Sequence, residues 1–498
     1  MCIGHRSPSH RKRSFAASAE KQARVCHDRR VTTARSFDLP SGSLSGEAPD
    51  SSEFVIDLAG LPLSADLQRL IANEKEEFEA VFGRKVVFRP ASDTESAWVI
   101  EAPAEPDAVP RLQRQSTTRL ASIAATESDF LATMNALHTL YRTQRDAIVV
   151  APAESIEEAI HVIHDEVAST YPYFALRGLD WDSISRKYLK TEPAPTDFPD
   201  MAAAWVAELG DAHTSIKIPT SGGFNPDYRG TLHADGVHLT DVPHQSAAWQ
   251  AGVRAGWVVA VENVEHLMKT VGATPQQLPE VRARRAMAIR DTHRVYRAYD
   301  PSSAGATEWE EPVVPMTLEN AVKVEKEQGG DLRIRLRAFA SQLDLHAVLD
   351  DVIASAAPSA RITIDLRGNT GGSILLATDL RDRFLTERTK IGYVAFTDGR
   401  GRIAPRTERW AEPSERRRWG GRTEILIDAM TYSASEDFVL GLQGLEHIRV
   451  SGSVSGGGSG RPRRVPLLPG VDLTISTAIT YDRRGKPVEF HGIHPDTD

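Results

Sequence analysis

The chain has 498 residues, 41% of them hydrophobic and 26% charged, with a net charge of -9. That length allows several domains of about 100 to 200 residues, each with its own core, and the acidic balance supplies no basic face for phosphates, which excludes a nucleic-acid partner. The longest apolar runs, such as Ile425-Leu426-Ile427, are far too short to cross a bilayer, so no membrane partner is expected either.

Both cysteines, Cys2 and Cys26, lie near the amino terminus. The body of the chain therefore has neither a disulfide framework nor a thiolate metal site, and a cysteine nucleophile is excluded. Residues 1–37 carry nine Lys or Arg against two acidic residues, a composition like a transit peptide but without an apolar stripe. Together with the Pro, Gly and Ser of Leu39 to Ser52, it reads as a disordered arm over 1–52. Lacking an apolar h-region, it shows no secretory signal, which favours the cytoplasm as the compartment. Residues 53–150 read as mixed helix and strand and carry no motif.

From Ser155 to Tyr171 the residues Ile156, Ala159, Ile160, Ile163 and Val167 recur at helical spacing, and a second helix is expected over Met201 to Leu209. Gly210 can stop that helix, and the alternation over Thr214 to Ile218 can start a strand. His213 sits at the junction, within an expected helical module over 151–227. His161 and His164 lie one turn apart beside Asp165 and Glu166, but no third ligand is identifiable, so a solvated helix face is expected rather than a metal site.

Asp235 to Val242, followed by Ser246 to Val261 with Gly252 and Gly256 at its bends, resembles a PDZ module, expected over 228–320. The usual Gly-Asp appears here as Gly256-Trp257. After about Asp331, strands over Leu332–Leu336, Arg361–Leu366, Ile391–Phe396 and Glu424–Ile427 alternate with helices over Leu345–Ser355, Ser373–Phe384 and Ser435–Leu445. Further strands follow near Ile448 and Leu473. Such alternation implies an α/β layer over 321–498.

Three segments of that layer carry chemistry. Ile362 to Ser373 is an apolar strand running into a turn, Arg367-Gly-Asn-Thr-Gly-Gly-Ser373, of a kind that elsewhere cradles phosphates. Ile425 to Asp437 is a strand that becomes a helix at Tyr432-Ser-Ala-Ser435. A serine there has an exposed hydroxyl, and free N–H groups at the helix start can hold an oxyanion, although serine is also favoured as a plain helix cap. The third segment, Pro487 to Asp496, closes with Gly492-Ile-His-Pro-Asp496.

In order and spacing the three resemble the tail-specific, carboxy-terminal processing family of serine peptidases. The resemblance implies an α/β (α+β) multidomain fold with a crotonase-like catalytic core. It implies Ser433 as nucleophile, with the N–H groups of Ala434 and Gly371 as the oxyanion hole. Many members use a serine–lysine dyad, but the place of that lysine is taken by Gly458, and no lysine occurs between Lys390 and Lys486. Arg461, Arg463 and Arg464 stay protonated and cannot act as the base. Members like the tricorn core instead use a histidine ahead of the PDZ module, and Gly210-Asp-Ala-His-Thr214 resembles that segment. His213 is therefore the expected base, with Glu489 standing where the orienting glutamate does. Ala212 replaces the serine that links the two in that pattern. No cofactor or metal is implied, and the partner is a peptide or protein substrate, bound by its carboxyl end at the PDZ-like module. The alternative is a non-catalytic protein of the same fold that binds apolar ligands or peptides.

Overall fold

The computed structural model describes residues 53–496 except 64–70, 72–84, 94, 103–110, 116–118, 125–146, 150–151, 219–226, 245, 290–292, 304, 314–315, 341–342 and 398–400. The arm expected over 1–52 thus lies outside the described residues. The unassigned region holds a six-stranded sheet in the spatial order Lys85–Phe88, Glu53–Asp57, Ala97–Glu101, Arg119–Ile123, Arg111–Arg114, Ala147–Val149. Its first four strands run parallel, which explains the apolar continuity of Phe54-Val55-Ile56 and Ala97-Trp98-Val99-Ile100: strands covered on both faces do not alternate.

Helix Ile156–Thr170 starts at Ser155, whose hydroxyl accepts the Glu158 N–H at 3.1 Å, and buries Ala159, Ile160, Ile163 and Val167. Helix Phe198–Ala207 has proline in its first turn, where the missing donor costs nothing. Gly210, at φ 62°, turns the chain out of the helical region into strand Ser215–Lys217. This strand pairs antiparallel with Val471–Ile475, which in turn pairs with Arg463–Leu468. A strand from before residue 220 is thereby completed by the far end of the chain.

Residues 229–312 form a five-stranded antiparallel sheet ordered Ala306–Pro312, His293–Tyr299, Val258–Val259, Gly236–Asp241, Arg229–His233. Val237, Leu239, Val259, Tyr296 and Trp309 fill its core, and helix Leu278–Ala286 packs on strand Arg229–His233.

The carboxy-terminal layer is a five-stranded sheet with Val322–Lys326 antiparallel at one edge. Leu332–Leu336, Ile362–Asp365, Thr423–Ile427 and Ile448–Gly452 then run parallel. Parallel neighbours need crossovers, supplied here by helices Leu345–Ser355, Ile374–Asp382 and Ala434–Leu442. All nine residues of the last helix are buried, so it lies inside the molecule rather than on its surface. Truncating Ile425, which is fully buried in the core of this layer, would cost about 2–5 kcal/mol. Three loops leave the carboxyl ends of adjacent parallel strands: 366–373, 428–433 and 453–460. That is the crevice in which open α/β sheets place their ligands.

Candidate active site

The turn that carries Ser433 is built by short polar residues. Asp428 Oδ1 accepts the N–H groups of Gly368 (3.0 Å), Met430 (3.0 Å) and Thr431 (3.2 Å), while the Thr431 hydroxyl donates to Leu366 O at 2.9 Å. Strand end and Gly-rich turn are thus clamped together. Ser433 itself has φ 60° and ψ -124°, a conformation that costs a non-glycine residue about 1–3 kcal/mol and persists only where its surroundings enforce it. Its N–H is held by Gly458 O at 3.0 Å and Glu436 Oε2 at 3.2 Å. Opposite lies Gly371, at φ 100°, where a Cβ would come 2.9 Å from both Ser433 Cβ and Ala434 N. Only glycine fits there.

His213 reaches this turn from the helical module. Its Nε2 lies 3.0 Å from Ser433 Oγ, and the Tyr432 ring stacks on the imidazole with centroids 4.6 Å apart and planes 24° apart. Burial lowers the His213 pKa, opposed chiefly by the negative charge of Asp211. Asp211, buried two residues away, accepts the His213 N–H at 3.0 Å and the Thr214 hydroxyl at 2.7 Å.

Two expectations for the remaining site residues are modified. Ala434 has an N–H without an acceptor among the described residues, but the Gly371 N–H already donates to Asn369 Oδ1 at 2.9 Å. The neighbouring Gly372 N–H has no acceptor there. Glu489 is buried, but both its carboxylate oxygens accept the Thr480 N–H, at 2.9 and 3.0 Å, and it makes no hydrogen bond to His213. Burial pushes its pKa up to about 8. The structure therefore brings Ser433, His213 and Ala434 together and leaves Glu489 apart from the imidazole.

Glu436 was missed. Its carboxyl accepts the Gly457 N–H at 2.9 Å, the Gly458 N–H at 2.7 Å and the Ser455 hydroxyl, in addition to the Ser433 N–H. It ties the Gly-rich loop to the serine turn, while burial raises its pKa to about 7. The signal was in the sequence, since a serine with glutamate three residues on is a capping box. At the position of the absent lysine, a Cβ on Gly458 would come 2.4 Å from the Tyr432 hydroxyl oxygen. His164 faces Asp165 and Asp182, and no group of three or more potential metal ligands occurs among the described residues.

Residues 332–498 match the model of peptidase family S41. No curated protein matches the chain. Among solved structures, mature CPAF is similar in fold, with a TM-score of 0.51 at 12% identity over 68% of this chain and 92% of that one. The photosystem II D1 C-terminal processing protease aligns at 19% identity with a TM-score of 0.46, over 69% of this chain and 93% of its own. The tricorn protease aligns at 15% identity with a TM-score of 0.31, over 71% of this chain and 35% of its own.

Proposed function

We propose that this chain, whose residues 332–498 match the model of peptidase family S41, is a serine endopeptidase with Ser433 as nucleophile and His213 as general base. The observation that carries this reading is the 3.0 Å approach of His213 Nε2 to Ser433 Oγ across 220 residues of sequence.

In this mechanism a peptide carbonyl is attacked by Ser433 Oγ as its proton passes to His213 Nε2. Burial favours the neutral imidazole, the form that accepts a proton. The oxyanion that develops lies at the start of helix Ala434–Leu442, where the free N–H groups of Ala434 and Gly372 and the helix dipole favour negative charge. His213 then returns the proton to the leaving amine, and water releases the acyl group by the reverse path. A substrate's carboxyl end is bound by strand addition at the five-stranded sheet. The position of strand Arg229–His233 at that sheet's edge, beside helix Leu278–Ala286, supports this.

Ser433→Ala should lower peptidase activity by on the order of a thousandfold or more, whereas Ser435→Ala, at a fully buried hydroxyl, should keep most of it. A fluorophosphonate probe should label Ser433 in the native protein. Absence of labelling, with peptidase activity unaffected by Ser433→Ala, would remove this serine from the mechanism.

A further inference from the structure

A general base needs its second ring nitrogen held by an acceptor. Otherwise the imidazole can place its proton on Nε2 and point it at the nucleophile. His213 Nδ1 is buried and has no hydrogen-bond partner among the described residues. The polar atoms around it are informative. A Cβ on Gly460 would sit 2.9 Å from His213 Nδ1, 2.7 Å from Ser476 Oγ and 3.2 Å from the Tyr173 hydroxyl oxygen. Three polar groups thus converge on the bare face of that glycine.

Ser476 is fully buried, and its hydroxyl donates to Asp211 Oδ2 at 2.6 Å. Its backbone N–H donates to Thr214 Oγ1 at 3.1 Å, which fixes the residue against the histidine turn. With its one proton committed to Asp211, Ser476 Oγ has only lone pairs to offer a neighbour. Glu489, by contrast, spends both oxygens on the Thr480 N–H.

We propose that Asp211, acting through the Ser476 hydroxyl, is the carboxylate that orients His213, with both serving as positioning residues. This rests on the Ser433–His213 reading above. The hydrogen bonds run in one direction, from His213 Nδ1–H to Ser476 Oγ and from the Ser476 hydroxyl to Asp211 Oδ2. Nε2 is left as a lone pair for the Ser433 proton. When that proton arrives the imidazolium keeps its Nδ1–H, and Asp211 stabilises the positive charge without taking a proton itself. The contact between Nδ1 and Ser476 is open in the structure, as is common in unliganded sites that tighten on binding substrate. A serine supplied by the strand region after Ile475 thereby does the bridging work for which Ala212 has no hydroxyl.

The test measures kcat, KM and the rate of fluorophosphonate labelling across pH for Ser476→Ala, Asp211→Asn and the double variant, with Ser433→Ala and His213→Ala as references. Ser476→Ala should lower kcat by roughly ten- to ten-thousandfold with KM little changed. Asp211→Asn should lower kcat and also move the acid limb of the labelling profile to lower pH, because the charge that opposes burial is gone. In the Ser476→Ala background the same change should cost less than it does alone, since the two act in series. A purely structural role would reduce the amount of active protein equally at every pH and leave the limb in place. Should Asp211→Asn not fold, Ser476→Ala decides alone. Wild-type kcat in folded Ser476→Ala, with His213→Ala inactive, overturns the relay. So does a larger loss in Tyr173→Phe, which would transfer the acceptor role to the phenol. Wild-type kinetics in His213→Ala would instead sink the underlying serine–histidine reading.

Discussion

The tightest test of the site's packing is Gly458→Ala. Gly458 does not have a positive φ, so the substitution adds a methyl group without demanding a strained backbone. The new Cβ would lie 2.4 Å from the Tyr432 hydroxyl oxygen, 2.7 Å from Cε2 and 2.8 Å from Cζ. Ordinary contacts begin near 3.5 Å, so the ring must retreat by about 1 Å. Overpacking of this kind costs about 1–3 kcal/mol of stability. The kinetic effect should be larger, because the same ring stacks on His213 and its movement is passed to the imidazole. A misplacement of about 1 Å at a reacting group costs on the order of a hundredfold. The assay is kcat/KM on a peptide substrate alongside a thermal melt. We expect a modest fall in Tm and a loss of roughly one to two orders of magnitude in turnover. Unchanged values of both would show that Tyr432 does not set the position of His213. Gly458→Lys meets the same ring, and it should not restore activity to His213→Ala.

Three further outcomes follow. The acid limb of the rate should fall below the ordinary histidine value of about 6.5, because burial lowers the His213 pKa; a limb above that value, measured by labelling of Ser433, would contradict the electrostatics. For Glu489, the folded pKa of about 8 lies above its unfolded value, so its contribution to stability is full at low pH and is lost as pH rises through about 8. Glu489→Gln should flatten the fall of Tm between about pH 5 and 8 and keep kcat within about threefold; a large fall in kcat would return Glu489 to the catalytic relay. Removing Arg409, whose guanidinium pairs with buried Asp437 at 2.5 Å, strands a carboxylate in the interior and should cost about 3–5 kcal/mol, read by denaturant unfolding of Arg409→Ala.

What the sequence reveals depends on how local the cause is. Strand Leu332–Leu336 and helix Leu345–Ser355 are legible to the residue, since Leu332, Ile334 and Leu336 alternate with arginines at the strand period of 2 and the helix repeats at 3.6. The histidine turn is legible too, because Gly210 marks where the chain must bend, and the serine turn because an apolar strand there runs into small residues, Ser433-Ala-Ser435. Strand Arg463–Leu468, with two arginines and a proline, gives no such pattern. It becomes a strand by pairing with Val471–Ile475, an effect of tertiary context. The bond between Ser476 and Asp211 spans 265 residues. Short polar residues are too common in loops for their pairing to be read before the strands that align them are known.

The antiparallel match of Ser215–Lys217 with Val471–Ile475 has a consequence for the life of the polypeptide. During synthesis the histidine turn leaves the ribosome long before the strand that receives it exists, so a chain cut short of Val471 carries His213 without the seam that seats it against Ser433. The same seam makes the chain divisible, since fragments parted at an exposed loop between the two strands would each be inert and would recover cleavage only on reassociation.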